Sequence, residues 1–161
     1  MIKTIRNSMI EYFGNDVKRI NHALKVHAFA DILAESLALD DKTRSVISHT
    51  AYLHDIGIKE SERKYNSSAG KYQETEGPPV ARAIMESLSV SPDIIERTCF
   101  IIGNHHTYTK IDGIDFQIIV EADFLVNIYE DEMSKDAVDS ALNRIFKTRK
   151  GIELLKGMYQ K

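Results

Sequence analysis

Apolar residues recur at helical spacing along most of the chain, and this periodicity constrains the fold more than any other feature. The longest such run extends from Asp16 to about Leu39. Its apolar side chains return every three or four residues, at Val17, Ile20, Leu24, Ala28 and Ile32. No segment keeps up the two-residue alternation that strands show. The sequence therefore predicts a compact all-α helical bundle.

Capping and turn residues divide the chain into predicted helices. These helices cover Thr4 to Phe13, Asp16 to about Leu39 (with Asn15 or Asp16 as N-cap), Asp40 or Asp41 to His54-Asp55, Val80 to about Leu88, Ser91-Pro92 to about His105, Ile114 to about Glu130, Ser134 to Phe146 and Gly151 to Tyr159. The stretch from Lys59 to Thr75 has no sustained periodicity, and we predict one long loop there. Such loops in compact domains are usually functional or disordered.

The length and composition are those of one ordinary globular domain. A chain of 161 residues is long enough for a single substantial core, so we expect one domain over residues 1–161. Hydrophobic residues at 43% and charged residues at 28% fit that class. The net charge is −3 and there is no basic stripe, whereas phosphate contacts need clustered Lys and Arg. This argues against nucleic acid as the main partner.

The chain carries no pattern typical of export or membrane insertion. Lys3 and Arg6 are not followed by a signal-type apolar segment, and no apolar run has transmembrane length. The single cysteine, Cys99, lies in an apolar helical run, which predicts a buried and inert thiol. We therefore expect a cytoplasmic protein without a membrane partner. A homo-oligomer is left open.

His54 and Asp55 form an adjacent pair that closes an apolar helical stretch just before Gly57. Neutral imidazole and carboxylate groups are ligands that suit Mn, Fe, Ni, Zn or Mg. His22 precedes the pair on one apolar-patterned helix, and Asp123 follows it on another. Four such ligands on three helices can close around one metal ion.

Each of these residues also has a purely structural explanation. The adjacent pair can stabilise a helix end through an N–H to carboxylate hydrogen bond, and His22 alone would fit a helix interface. Asp123 lies among apolar residues, so its carboxylate must be exposed, paired or coordinating. His105 and His106 stand at a predicted helix end, where histidines meet the helix dipole favourably. The occurrence of His22, the His-Asp pair and Asp123 in one order favours coordination. Coordination is also favoured for His105, but not for His106.

Four stretches of the sequence carry a family resemblance. They are Arg19 to Val26, Leu53 to Gly57, Asn104 to His106 and Glu121 to Asp123. In this order, the four stretches resemble the HD superfamily of metal-dependent phosphohydrolases. The resemblance covers about residues 16–130, and the predicted helices over residues 134–160 follow it. The resemblance implies an HD-type bundle that hydrolyses a phosphoester of a small molecule, a nucleotide or related phosphate, with metal-activated water.

The resemblance assigns roles residue by residue. It makes metal ligands of His22, His54, Asp55 and Asp123. Asp55 is also expected to be catalytic, either bridging two metals or orienting the attacking hydroxide. Binuclear relatives have two further histidines before the last aspartate; His105 resembles one of them, and Glu76 stands at the position of the other. We expect one divalent ion or two (Mn, Fe, Ni, Co, Zn or Mg), with two favoured.

The predicted loop offers cationic side chains for a substrate phosphate. Lys59 and Arg63 lie nearest the His-Asp pair, so a lid there would bring Lys59 into catalysis and Arg63 onto the substrate. His106 is expected to contact the substrate as well. Mixed charge of this kind more often marks a solvated loop. Lys18 and Arg19, one turn before the first histidine, could serve similarly, although a solvated helix surface explains them better.

Two absent motifs narrow the activities that the resemblance implies. Ile58-Lys59 follow Ile56-Gly57 at the position where hydrolases of guanosine alarmones carry Glu-Asp. No Gly-Tyr-Pro follows His105-His106 as it does in cyclic di-nucleotide phosphodiesterases. A small stand-alone phosphohydrolase is what remains. Three alternatives stay open: a metal- and nucleotide-binding sensor with little turnover, a di-iron HD-type oxygenase, and a structural helical interaction domain.

Overall fold

Nine α-helices and one short 3₁₀ helix make up the secondary structure of residues 2–160, the range whose backbone the computed structural model describes. Side chains are described for residues 4–160. The α-helices are α1 (Ile2–Phe13), α2 (Val17–Glu35), α3 (Asp41–Leu53), α4 (Ile58–Tyr65), α5 (Gly70–Ser87), α6 (Pro92–Ile102), α7 (Ile114–Glu130), α8 (Lys135–Arg144) and α9 (Arg149–Tyr159). The 3₁₀ helix (Tyr108–Lys110) precedes α7, and the described range contains no strand. The predicted all-α fold is confirmed.

Side-chain caps begin several helices at the predicted residues. Asp16, Asp40 and Ser134 each accept a hydrogen bond from the backbone N–H three residues later, at 3.2, 2.7 and 3.3 Å. Each cap satisfies an amide that has no partner within the first turn of its helix. Helix α7 has the predicted bounds, whereas α6 ends at Ile102 rather than His105. The turn after α6 therefore carries the two adjacent histidines.

The prediction of one long loop over residues 59–75 is wrong. Helix α4 fills its first part and α5 begins at Gly70, so that residues 66–69 alone connect the two helices. Helix α4 buries only Ile58 and Ser61, and a helix with so small a buried face leaves no apolar periodicity to detect in the sequence.

Two prolines led to the wrong predicted start for α5. Proline is well accepted in a first helical turn, so Pro78 and Pro79 indicated a helix that begins near Val80. In the structure both prolines lie inside α5, where their missing N–H groups cost intrahelical hydrogen bonds. The helix continues through them because it packs against α4 and α6. Gly77 fits this packing closely, since a Cβ there would stand 2.6 Å from Cγ2 of Ile102.

The main core lies between α2, α3, α6 and α7. Its fully buried side chains include Val26, Ala51, Ile101 and Ile119. A second apolar cluster joins α1 and α5 to α3 and α6, and a third joins α8 and α9 to α7. Burying one large aliphatic side chain contributes about 1.5–3 kcal/mol. The inner faces of α2, α3 and α7 are thereby held at fixed positions, and these faces carry the polar residues described next.

Two smaller features of the sequence have clear counterparts in the structure. Cys99 is 7% exposed, its Sγ lies 3.5 Å from the carbonyl oxygen of Pro78, and burial raises the pKa of its thiol, so the predicted buried thiol is confirmed. Within the described residues, no helix combines the length and the apolar character that crossing a membrane requires.

Candidate metal centre

Three helices bring together a first group of ligand atoms. His22 lies in the N-terminal half of α2, His54 caps the C-terminal end of α3, and Asp123 lies in α7. The Nε2 atom of His22 is 3.2 Å from Nε2 of His54 and 3.1 Å from Oδ1 of Asp123. The third side of this triangle, from His54 Nε2 to Asp123 Oδ1, measures 3.6 Å. The three ligand atoms thus converge on one point.

A second group consists of Asp55, His105 and His106, whose potential ligand atoms lie within 4.8 Å of one another. Asp55 directly follows His54, and the two histidines occupy the turn after α6. The carboxylate of Asp55 reaches both groups. Its Oδ2 is 3.5 Å from Nε2 of His22 and of His54, and its Oδ1 is 3.4 Å from Nε2 of His105.

Hydrogen bonds at Nδ1 orient three of the histidine rings. The Nδ1–H of His22 donates to Oε2 of Glu130 at 2.8 Å. The Nδ1–H groups of His54 and His105 donate to carbonyl oxygens of the preceding turn, at 3.0 and 2.8 Å. Because a carboxylate or a carbonyl oxygen can only accept, each Nδ1 carries the proton and each Nε2 is directed to the centre as a ligand atom.

The Nε2 atom of His105 is buried and has no hydrogen-bond partner. It lies near Asp55, but not in hydrogen-bond geometry. Leaving a buried nitrogen unpaired costs free energy, and a metal–ligand bond would remove that cost. Converging imidazole nitrogens and carboxylate oxygens are also the donor set that borderline divalent cations prefer. The residues present therefore fit a divalent metal ion.

The charges of the first group and of Asp55 depend on one another. Burial by itself lowers the pKa of His22, but the hydrogen bond with Asp123 and the charge of Asp55 outweigh it and raise that pKa to about 9. The same carboxylates raise the pKa of His54 against the effect of burial. In turn, the histidines hold the carboxyl pKa values of Asp55 and Asp123 below their usual range, although burial opposes this. Positive charge at the centre, from protons or from a metal ion, balances the two carboxylates.

His106 differs from the other histidines in its electrostatics. Burial and the neighbouring His105 lower its pKa to about 4, so its ring is neutral at ordinary pH. Its Nε2 lies 3.4 Å from Oε1 of Gln73, and its backbone N–H donates to Oε1 of Glu74 at 3.0 Å. A neutral ring held in this way can ligate a metal or contact a substrate.

Two residues of α7 that were not among the predicted site residues support the centre. Nδ2 of Asn127 donates to Oδ1 of Asp123 at 2.9 Å. Glu130 accepts from His22 and also forms an ion pair with Lys25. The signal for both was their spacing, since residues four and seven positions after Asp123 lie on the same helix face.

The structure does not bring Glu76 to either ligand group. Its carboxylate accepts hydrogen bonds from Nζ of Lys64 at 2.6 Å and from the hydroxyl of Tyr65 at 2.9 Å. The reason is the early start of α5, which puts Glu76 inside a helix and on the side that meets α4. Gln73, one turn earlier, lines the cleft instead.

The two cationic residues predicted to reach the substrate also lie elsewhere. Nζ of Lys59 donates to the carbonyl oxygen of Tyr12 at 2.9 Å and lies over the ring of that residue. Arg63 is exposed and pairs with Glu60 in the same helix. Both residues belong to α4, and the helix directs their side chains away from the ligand groups. The predicted loop would have allowed these side chains to turn toward the ligand groups.

An open cleft of about 260 Å³ leads to the ligand atoms of His22, Asp55 and Asp123. Lys18 and Arg19 line it, so the cationic wall comes from α2. The guanidinium of Arg19 is already paired with Asp16 and Glu62. Lys18 forms no ion pair within the described part of the chain and is the cation best placed to meet an incoming anion.

The fold and the site together define an all-α protein with a buried histidine–carboxylate cluster that could hold a metal ion. The cluster lies at the base of a small cleft with both basic and acidic residues in its walls. Comparison with models of protein families, with curated proteins and with solved structures gives no match.

Proposed function

We propose that the chain is an HD-type, metal-dependent phosphohydrolase that cleaves a phosphoester of a small molecule with metal-activated water. One observation carries the proposal. The carboxylate of Asp55 links the two groups of ligand atoms, with one oxygen near His22 and His54 of the first group and the other near His105 of its own group. A carboxylate in that position can bridge two cations or orient a water molecule between them.

The sequence order of the ligands supports the same function. His22 and His54 are 32 positions apart and His22 and Asp123 are 101 apart, yet their ligand atoms meet within 3.6 Å. These are the residues on which the resemblance to the HD superfamily rests. A divalent cation bound by them would polarise a phosphoryl oxygen and lower the pKa of a bound water.

The residues of the chain supply the remaining requirements for hydrolysis. A free oxygen lone pair of Asp55 can accept a hydrogen bond from the attacking water and fix its direction. Lys18 can donate to a phosphoryl oxygen at the cleft wall, since its ammonium is not paired within the described residues. His106, neutral and next to His105, can accept a hydrogen bond from the substrate or complete the second group.

The proposal limits the metal and the substrate. Imidazole nitrogens come from four of the six potential ligand residues, which favours Mn, Fe, Co, Ni or Zn over Mg, because Mg prefers oxygen ligands. A cleft of about 260 Å³ suits a phosphoryl group with a small attached part, with a nucleotide or related phosphate as the proposed class. The proposal includes a cytoplasmic location and no nucleic-acid or membrane partner, on the grounds of the charge and hydropathy pattern.

The test combines metal content with hydrolysis. Purified wild-type protein, Asp123→Ala and Asp55→Asn are analysed by mass spectrometry for bound metal and then supplied with p-nitrophenyl phosphate and a panel of nucleotides. We expect bound metal and Mn-dependent phosphate release from the wild type, and loss of release in both variants. Lys59→Ala is the matched control and keeps both properties, because Lys59 lies outside the cleft.

Other outcomes would contradict the proposal and identify an alternative. Retained metal and nucleotide affinity without phosphate release would indicate a sensor. Iron-dependent oxygen consumption that Mn and Mg do not support would indicate an oxygenase. Absence of bound metal, together with unchanged properties of Asp123→Ala, would leave a structural interaction domain.

A further inference from the structure

Glu130, the last residue of α7, joins two side chains of α2, the imidazole of His22 and the ammonium of Lys25. Its Oε2 accepts the Nδ1–H of His22 at 2.8 Å, and its Oε1 forms an ion pair with Nζ of Lys25. The side chain of Glu130 is 14% exposed, so these contacts are only partly open to water. Both of its oxygens are thus engaged, and the carboxylate cannot turn away from His22 without losing a charged contact.

His22 is distinguished from the other oriented histidines by the charge of this partner. His54 and His105 donate their Nδ1–H groups to the neutral carbonyl oxygens of Ala51 and Ile102. An anionic partner makes an imidazole a stronger ligand than a neutral partner does, and it fixes the ring more firmly. His22 is therefore the best electron donor among the three.

The ligands of the first group are also held by stronger hydrogen-bond partners than those of the second group. Asp123 is held from one side by the amide of Asn127, at 2.9 Å. In the second group, the ring of His106 contacts the neutral amide of Gln73 at 3.4 Å, and the ring of His105 is backed by a carbonyl. Among the described residues, no carboxylate accepts an Nδ1–H from a histidine of the second group.

We propose that Glu130 is a positioning residue, which holds Nε2 of His22 toward the first ligand group and makes that group the tighter of two cation positions. This inference rests on the proposed function, because it assumes that the ligand groups bind divalent metal. Lys25 stabilises the arrangement by pairing with the second oxygen of Glu130.

The test is a titration of the metal-free full chain with Mn²⁺, in which the free ion is followed by electron paramagnetic resonance. The wild type is expected to bind one equivalent tightly and a second more weakly. Glu130→Ala should weaken the tight equivalent by about tenfold to a hundredfold. Glu130→Gln retains an uncharged acceptor for the Nδ1–H and should weaken it less. Asp131→Asn is the matched control, since it removes the same charge from the adjacent cleft residue, which does not contact His22.

A second measurement separates positioning from folding. In the Zn²⁺-loaded protein, the Nδ1–H proton of His22 should give a slowly exchanging resonance in the wild type and in Glu130→Gln, and lose that protection in Glu130→Ala. Circular dichroism in chelator checks that each variant is as helical as the wild type. A general loss of structure would remove all imidazole signals alike, whereas loss of positioning removes the signal of His22 alone.

The outcomes keep the two proposals distinguishable. Wild-type Mn²⁺ binding with an unchanged tight equivalent in Glu130→Ala would overturn the inference and leave the proposed function standing. An equal loss in Asp131→Asn would also overturn it, because the effect would then be one of net charge. A wild type that binds no Mn²⁺ would overturn both.

Discussion

Gly57 and Gly77 lie in backbone contact: a Cβ built on Gly57 would stand 2.6 Å from the backbone nitrogen of Gly77 and 2.7 Å from the carbonyl oxygen of Gln73. This contact holds α5 against the turn that follows His54 and Asp55. It therefore fixes the distance between the His-Asp pair and the cleft wall that Gln73 provides.

We predict that Gly57→Ala destabilises the protein, because both atoms that the new methyl group meets belong to backbone and cannot rotate away. Overpacking of this kind costs about 1–3 kcal/mol. The backbone of Gly57 has φ −73° and ψ −14°, which alanine adopts without strain, so the effect is one of space alone. Denaturation in urea measures the change in free energy of unfolding.

Gly157→Ala is the matched control for this substitution. Gly157 lies in α9, and a Cβ there would have no neighbour within 4 Å. Since alanine is the better helix former, this variant should be as stable as the wild type or more stable by up to about 1 kcal/mol. Equal stability of the two variants would contradict the steric interpretation of the Gly57–Gly77 contact.

The same contact explains where sequence reasoning failed. Helix α5 contains Gly77, which approaches Gly57 closely although the two are distant in sequence, and no local pattern contains that information. Local caps and spacing, by contrast, predicted α3 and α7 well, because Asp40 caps the start of α3 and apolar residues recur along the length of α7. Because α5 starts at Gly70, the carboxylate of Glu76 faces α4, and the structure does not place it near either ligand group.

The candidate site likewise contains residues that the sequence predicted and residues that it did not. His22, His54, Asp55, Asp123 and His105 were selected from their residue types and order, and the structure brings their ligand atoms together. Glu130 and Asn127 were not predicted as site residues. The partner of Glu130 is His22 in another helix, and the hydrogen bond of Asn127 depends on the side-chain rotamer of Asp123. A carboxylate or amide in α7 has many possible partners, and only the packing of α2 against α7 decides among them.

We predict that Glu76→Gln lowers stability at neutral pH without changing metal content. Hydrogen bonds from Lys64 and Tyr65 hold the pKa of the Glu76 carboxyl below its usual value of 4.5. A carboxyl whose folded pKa is depressed stabilises the protein above its unfolded pKa, and the contribution is lost as the pH falls through the folded pKa. The stability difference between wild type and variant should therefore be full above about pH 5 and disappear at lower pH.

Thermal unfolding at a series of pH values measures that difference, with Glu132→Gln as the control. Glu132 forms no ion pair within the described residues, so its substitution should leave the pH profile unchanged. Loss of one metal equivalent in Glu76→Gln, measured by mass spectrometry, would contradict the structure and restore Glu76 as a ligand.

We predict that Lys18→Ala weakens the binding of phosphate esters, whereas Lys59→Ala does not. Lys18 lines the cleft, while the ammonium of Lys59 is bound to the carbonyl oxygen of Tyr12. An exposed ion pair contributes about 0.2–1 kcal/mol, so Lys18→Ala should lower the affinity for phosphate by up to about fivefold. Inhibition by inorganic phosphate provides the measurement, and an equal response of the two variants would contradict the assignment of the cationic wall to α2.

The shared position of Asp55 gives the sharpest expectation for metal stoichiometry. One of its oxygens lies 3.5 Å from His22 and His54, and the other lies 3.4 Å from His105. Asp55→Asn removes negative charge from both ligand groups, so both Mn²⁺ equivalents should bind more weakly. His105→Ala removes a ligand from the second group alone, and it should leave the tight equivalent in place. If Asp55→Asn instead loses a single equivalent and keeps the other at wild-type affinity, the carboxylate belongs to one group and the bridging geometry proposed for catalysis is wrong.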